Sequence, residues 1–181
     1  AGTKWKALRE AVAWLKVSQD AMADDGFGTF YLQEGWTSSY PETSGYIVPT
    51  LLKYAEIEKD DDAEERARKC LDWLLNIQKP SGGWQSGYVH QNRPEIVFNT
   101  GQVVRGMLAG YQHFKDDKYL LAAAKAADWL VAVQLPDGSF GTHVYMDVAR
   151  VYDSYVVAPV LELNAILPKP EYVQMATKNI D

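Results

Sequence analysis

The chain has 181 residues, 47% hydrophobic and 23% charged, a balance that builds a folded domain rather than a disordered segment. A formal net charge of −6 argues against a nucleic-acid binder or a protein of anionic membranes, both of which need a basic face. Cys70 is the single cysteine, which excludes an intramolecular disulfide and a cysteine-rich zinc site, and no apolar run approaches the roughly 20 residues that span a bilayer.

In chain order, the first unit opens with Ala11-Val12-Ala13-Trp14-Leu15, followed by Gln19 and the turn Asp25-Gly26-Phe27-Gly28. A loop over residues 24–42 then carries five aromatics in nineteen positions, among them Trp36 and Tyr40. It leads into the apolar segment Thr43-Ser44-Gly45-Tyr46-Ile47-Val48, which ends in the charged turn Lys59-Asp60-Asp61-Asp62. The second unit repeats this order: Cys70-Leu71-Asp72-Trp73-Leu74, Gln78, Gly82-Gly83-Trp84, a polar loop, Asn99-Thr100-Gly101-Gln102-Val103-Val104 and a charged turn at 115–118. The third reads Ala126-Ala127-Asp128-Trp129-Leu130, Gln134, Asp137-Gly138-Ser139-Phe140-Gly141 and Asp153-Ser154-Tyr155-Val156-Val157. The Trp-Leu pairs stand 59 and 56 residues apart, a period that marks a helical array.

Within each unit, Ala67, Cys70, Leu71, Leu74 and Gln78, or Ala123, Ala126, Ala127 and Leu130, recur on one helical face. Each unit is therefore an A helix, a glycine turn, a polar loop and a B helix. Cys70 falls among the buried positions, as an inert thiol. Thr43, Asn99 and Asp153 occupy matching places and suit N-caps of the B helices. Pro49 and Pro159 should kink two of those helices or shift where they begin. The expected fold is all-α: one α/α-toroid domain over 1–181, with hairpins at about 4–60, 61–117 and 118–167 and the start of a fourth at 169–181. Asp181 aligns with Asp128, so the fourth A helix is expected to stop just before its tryptophan, as in a fragment of a longer array, with a capping helix as the alternative. A broken array exposes a stacking face, so self-association through the open end is expected.

The Gln, glycine and aromatic signal, as in Gln78-Lys79-Pro80-Ser81-Gly82-Gly83-Trp84, resembles the repeat of the squalene-cyclase and prenyltransferase-β superfamily, and also the helical-toroid polysaccharide lyases and uronyl hydrolases. Tyr40-Pro41-Glu42-Thr43-Ser44-Gly45-Tyr46 and Val97-Phe98-Asn99-Thr100-Gly101-Gln102 are similar to stretches in uncharacterised bacterial toroid proteins met near polysaccharide genes. The resemblance implies an α/α toroid whose B helices form the inner ring, with the A-to-B loops at one mouth. It implies no single reaction. Terpene cyclases of this superfamily are known for an Asp-x-Asp-Asp acid, whereas Asp60-Asp61-Asp62 lies in a B-to-A turn at the opposite end from the glycine loops. The prenyltransferase zinc site finds no partner set around Cys70.

Helix N-termini gather at the mouth and favour anions. Residues there that stacking does not demand are the functional candidates. As catalytic groups we consider Glu42, Asp153, His143 and Tyr152. As substrate-binding groups we consider Trp36, Tyr40, Tyr46, Tyr88, His90, Arg93, Asn99, Gln102 and Arg150. Phe27, Trp84 and Phe140 share one repeat position and read as packing plugs. Tyr46 and Gln102 either line the cavity or pack; His90 and His143 serve as surface loop residues if not as catalysts, and a metal held by them has no spacing signature. Aromatic platforms among Arg, Asn and carboxylates suit a saccharide or another small polar ligand. In a hydrolase Glu42 and Asp153 would be the carboxylate pair. In a lyase Arg93 or Arg150 would neutralise a uronate while a Tyr or His takes the α-proton. The expectation is a carbohydrate-active toroid, with a non-catalytic glycan- or protein-binding toroid and a terpenoid cyclase- or prenyltransferase-like protein as alternatives, the last calling for a deep apolar cavity that this polar loop set opposes. No cofactor is implied. With no signal-like segment at the N-terminus the expected location is cytoplasmic, although Ala1-Gly2 leaves a removed signal peptide open.

Overall fold

A computed structural model describes residues 2–180; Asp181, with the repeat position assigned to it, lies outside them. Among the described residues are seven α-helices: α1 (Gly2–Asp20), α2 (Pro41–Glu58), α3 (Asp61–Asn76), α4 (Val97–Phe114), α5 (Asp117–Val133), α6 (Val157–Ile166) and α7 (Pro170–Ile180). A two-stranded antiparallel hairpin, β1 (Gly28–Tyr31) with β2 (Gly35–Ser39), sits in the first A-to-B loop. The A helices are α1, α3, α5 and α7, and the B helices are α2, α4 and α6. B helices pack on one another and on the A helix that follows, with α2 against α4 the most extensive contact. The result is an all-α array of the toroid type, and no helix in it is long and apolar enough to cross a membrane.

The repeated glutamine has a specific mechanical role. The Gln19 side-chain amide donates to Asp25 O (2.8 Å) and to Arg66 O of the next A helix (3.1 Å). Gln78 does the same to Gly82 O and Ala122 O, and Gln134 to Gly138 O and Met175 O, all at 2.8–2.9 Å. One amide thus ties its own turn to the neighbouring hairpin. The glycine of that turn must lie flat against the same helix. Gly82 has φ +115°, and a Cβ there would stand 2.4 Å from Lys125 O. The aromatic plugs follow: Phe27, Trp84 and Phe140 are 0–1% exposed. The first two are latched by their backbones to the B helices, Phe27 N–H donating to Ser44 Oγ (3.1 Å) and Trp84 N–H to Thr100 Oγ1 (2.9 Å).

The B-helix starts differ from the expected ones. Pro41, pre-organised for a first helical turn, moves the start of α2 upstream, and α4 likewise begins at Val97. Thr43 and Asn99 are thereby third residues inside their helices and not caps; Thr43 Oγ1 donates instead to Tyr40 O (3.1 Å). Asp153 is third in a 3-10 segment, Val151–Val156, where its Oδ2 accepts from Arg150 N–H (3.2 Å). The caps with side-chain bonds are Asp60 and Asp116, which start A helices α3 and α5. Asp60 and Asp62 both pair with Lys16, so this acidic turn is a salt-bridged helix start.

Pro159 does shift a helix: α6 begins only at Val157, which leaves the proline in its first turn. Pro49 sits within the continuous span of α2. Lacking an N–H, it frees the carbonyl of Gly45 four residues back. Gly106 of α4 packs on that oxygen, where a Cβ would come within 2.8 Å of it, and a Cβ on Gly45 would stand 2.8 Å from Gln102 O. Two glycines thus allow the two inner helices to cross at backbone contact.

Candidate functional site

The B-helix N-termini, the loop after β2 and the loop over 85–96 enclose a cleft of about 390 Å³. It is lined by Tyr40, Glu42, Arg93, Asn99 and Tyr152 from the predicted set, together with Phe98, Ile96, Tyr145, Ser86 and Gly87. Glu42 is the second residue of α2, Asn99 the third of α4, and Tyr152 lies in the 3-10 segment before α6, so three successive hairpins contribute. Phe98 and Tyr152 meet edge to face, their ring centroids 5.0 Å apart. Asn99 is buried, and its amide donates to Gln85 O (3.2 Å).

Glu42 is the one carboxylate among the described residues lining this cleft. It is half-buried, makes no ion pair among those residues, and burial raises its carboxyl above the usual carboxylate range. The Tyr40 phenol is also raised, by burial first and by the charge of Glu42 next, with Asn99 and the Gly87 backbone opposing the shift. Arg93 is exposed at the rim and likewise unpaired among the described residues. The cleft therefore combines four aromatic rings, one acid that resists ionisation and one free guanidinium.

The remaining predicted residues lie around it in separate groups. Tyr88 stands edge to face with Tyr40 (5.5 Å) and stacks on His90 (5.9 Å), and its hydroxyl is 3.1 Å from that of Tyr31. His90 Nδ1 meets Ser38 Oγ at 2.7 Å. These contacts fasten the second loop to the β-hairpin. His143 takes φ +55°, sets its ring 5.3 Å from that of Trp129, and gives its carbonyl to Val97 N–H (2.7 Å), the start of α4. Trp36 packs at a tilt against Trp14 (5.3 Å) and edge to face against Phe30 (5.2 Å), on the α1 side. Arg150 is bonded to the Tyr145 carbonyl and to Val148 O (2.8 Å), with its guanidinium 5.2 Å from the Tyr145 ring.

Arg150 and Asp153 line a second cleft, of about 520 Å³, with Asp137, Ser139, Lys178 and Asn179. Asp153 is 3% exposed, one of its oxygens has no partner among the described residues, and burial raises its carboxyl too. Glu42 and Asp153 thus do not line one cleft. Tyr46, about one turn beyond Glu42 on α2, is 38% exposed and does not line the first cleft, whereas Gln102 is 1% exposed. Phe98 and Tyr145 line the first cleft without being among the residues the sequence singles out. The signal that could have chosen them is position: Phe98 precedes Asn99 on the first turn of α4, and Tyr145 lies beside an arginine that binds its carbonyl.

Fold and cleft together define the class, an α/α-toroid array with a mixed aromatic cleft at the mouth of its inner helices. No protein-family profile matches the chain, and neither does any curated protein. Among solved structures it is similar to an ent-copalyl diphosphate synthase from Streptomyces platensis, with a TM-score of 0.60 and 21% identity. The match covers 86% of this chain and 28% of that one, so the chain spans less than a third of the similar protein, and the likeness is one of fold.

Proposed function

We propose that the chain is a ligand-binding unit of a terpenoid-cyclase-like toroid, taking an apolar, isoprenoid-type chain in the cleft at the mouth of α2 and α4. The observation that carries this reading is the convergence of Tyr40, Phe98, Tyr145 and Tyr152 around a single half-buried, unpaired Glu42. Apolar surface and ring faces favour a hydrocarbon chain, and they stabilise positive charge developing on it. Burial raises the Glu42 carboxyl and so favours its protonated form, from which it can act as a proton donor: its proton adds to an alkene carbon, the π electrons form the new C–H bond, a carbocation is left, and Glu42 becomes a carboxylate. The similarity to a copalyl diphosphate synthase supports the fold on which such a cleft is built. Glycoside hydrolysis needs two carboxylates flanking one bond, about 5–10 Å apart, and the separation of Glu42 from Asp153 into different clefts gives it no support.

Calorimetry with farnesol and with a glucuronate oligosaccharide tests the assignment. Farnesol is expected to bind in the micromolar range, about −8 kcal/mol, and Phe98→Ala and Tyr152→Ala are each expected to weaken it about tenfold. Binding of the oligosaccharide but not of farnesol would replace this reading with a glycan-binding toroid.

A further inference from the structure

The third hairpin breaks a rule that the first two keep. In those two the N–H of the aromatic plug donates to a hydroxyl on the first turn of the B helix, Phe27 to Ser44 Oγ and Trp84 to Thr100 Oγ1. Phe140 and Ser154 are the matching pair, since Ser154 follows Asp153 as Ser44 follows Thr43 and Thr100 follows Asn99. Phe140 N–H makes no such bond among the described residues. Ser154 Oγ donates instead to Val151 O, three residues back (2.7 Å), whereas Ser44 Oγ donates to Tyr40 O, four residues back (2.9 Å). That shift of one residue is the difference between 3-10 and α winding. The second cleft, of about 520 Å³, lies where the bond is missing: it is lined by Gly138, Ser139 and Phe140 of the plug turn and by Asp153 and Ser154 of the 3-10 segment.

Two residues explain why this segment is not α-helical. Counting Pro41, Val97 and Val151 as first residues, the ninth place holds Pro49, Arg105 and Pro159, and the fifth holds Gly45, Gly101 and Tyr155. A proline inside an α-helix crowds the carbonyl four residues back and leaves it without a donor. In α2 that carbonyl belongs to a glycine, Gly45, and Gly106 packs on it. In the third unit it belongs to Tyr155, and 3-10 winding, which bonds three residues back, does not call on the N–H that Pro159 lacks. The second residue is Asp153. Its counterpart Asn99 donates its amide to Gln85 O, the carbonyl next after the plug (3.2 Å). The matching carbonyl in the third unit is that of Gly141, and a carboxylate has no hydrogen to give it. Asp153 instead accepts from Arg150 N–H through Oδ2, while its buried Oδ1 has no partner among the described residues. That unbonded acceptor and the unmade plug bond are costs of the 3-10 form; the proline clash and a carboxylate set against Gly141 O are costs of the α form. Opposed costs of this kind make an element bistable.

We propose that Val151–Val156 is a two-state latch: wound as a 3-10 helix and open in this structure, and α-helical when closed, with Phe140 N–H on Ser154 Oγ and the second cleft filled. Closing reaches the first cleft through Tyr152. From Tyr152 to Val157 is five steps, and the two windings differ by about 20° and 0.5 Å per residue, so Tyr152 turns by about 100° and moves by about 2.5 Å relative to α6. Its ring, edge to face with Phe98 (5.0 Å), is thereby withdrawn from the first cleft. The open latch is the ligand-ready form, whatever ligand that cleft takes.

Amide exchange followed by NMR compares the three plug amides in the intact chain. In the wild type Phe140 N–H is expected to exchange at least tenfold faster than those of Phe27 and Trp84. Asp153→Asn, which restores the donor that Asn99 supplies, is expected to slow Phe140 at least tenfold and to raise the melting temperature by about 2–4 °C. Ser154→Ala is expected to leave the wild-type exchange rate and melting temperature unchanged, and to cancel both gains when added to Asp153→Asn. Thr100→Ala, at the latched place of the second unit, is expected to speed Trp84 exchange and to lower the melting temperature. Slow Phe140 exchange in the wild type, or a Ser154→Ala penalty equal to that of Thr100→Ala, would overturn the proposal by showing the latch already closed. Unchanged Phe140 exchange in Asp153→Asn would overturn it by showing that no closed form is within reach. Calorimetry reads the link to the first cleft: farnesol affinity is expected to fall at least threefold in Asp153→Asn and to recover in the double variant. Slowed Phe140 exchange with unchanged farnesol affinity would overturn that link. Absence of farnesol binding in every form would overturn the function proposed for the first cleft, and the exchange rates would still decide the latch.

Discussion

Glu42 shows how one side chain reports on the site. Its carboxyl is raised by burial, and no cation pairs with it among the described residues. The folded protein therefore prefers it neutral. Below the ordinary carboxylate range, about 4.3, it is protonated folded or unfolded and brings no penalty. As pH rises through its elevated folded value, the buried group must ionise and stability is lost. Glu42→Gln is neutral at every pH, so it is expected to melt with the wild type near pH 4 and above it near pH 8. Thermal melts at the two pH values check this. A variant less stable than the wild type at pH 8 would mean that the carboxylate has a partner, Arg93 being the cation that lines the same cleft. Legibility at this scale was uneven. Tyr40, Glu42, Arg93, Asn99 and Tyr152 were recognisable as loop and helix-start residues that packing does not require, and they do share a cleft. Asp153 reads in the sequence as the second carboxylate of the mouth, at a place that matches Thr43 and Asn99 in the repeat. That repeat position breaks down in the third unit, where a 3-10 segment replaces the first turns of the B helix and carries Asp153 to another cleft.

At the scale of the element, the glutamine bracket explains why the repeat was visible at all. Two carbonyls on two different elements receive one amide, and in the second and third units a glycine with positive φ, Gly82 or Gly138, lies against the neighbouring helix, so residue type and spacing are both constrained. The β1–β2 hairpin left no such trace, since it occurs in one unit only and its residues 28–39 read as an aromatic-rich loop. The N-cap places were misjudged by three residues at Thr43 and Asn99, because the first turn of each B helix is fastened from the plug, through Ser44 and Thr100, and not from a cap. Gln78→Leu deletes two hydrogen bonds and leaves the Gly82 and Ala122 carbonyls without them. The expected cost is about 2 kcal/mol, or a fall in melting temperature of about 4–8 °C for a chain of this size. Gly82→Ala is expected to be at least as damaging, because it adds a Cβ to a φ of +115° and places it against Lys125 O. Differential scanning calorimetry measures both, and Gln78→Leu melting within about 1 °C of the wild type would show the bracket to be incidental.

For the whole molecule, the array is held by contacts between neighbours, which makes its end surfaces the places where a neighbour's surface is not supplied within the described residues. The three repeat tryptophans show the difference. Trp73 and Trp129 are 7% and 8% exposed, and the turn at Gly26 lies against the Trp73 ring. Trp14 is 52% exposed and covers itself partly with Phe30 and Trp36, while Val17 beside it is 49% exposed. At the other end Val173 and Ile180 of α7 are 45% and 70% exposed. Apolar surface gathered at two different ends favours head-to-tail contact between copies, a heterologous arrangement that extends and does not close on itself. We therefore expect the chain to self-associate as concentration rises, and Trp14→Glu to shift it toward monomer by placing a charge in the aromatic cluster. Sedimentation velocity across a hundredfold range of concentration distinguishes the outcomes. A single monomeric species throughout, identical in wild type and Trp14→Glu, would mean that the hairpin and its two aromatics already serve as a sufficient cap for α1.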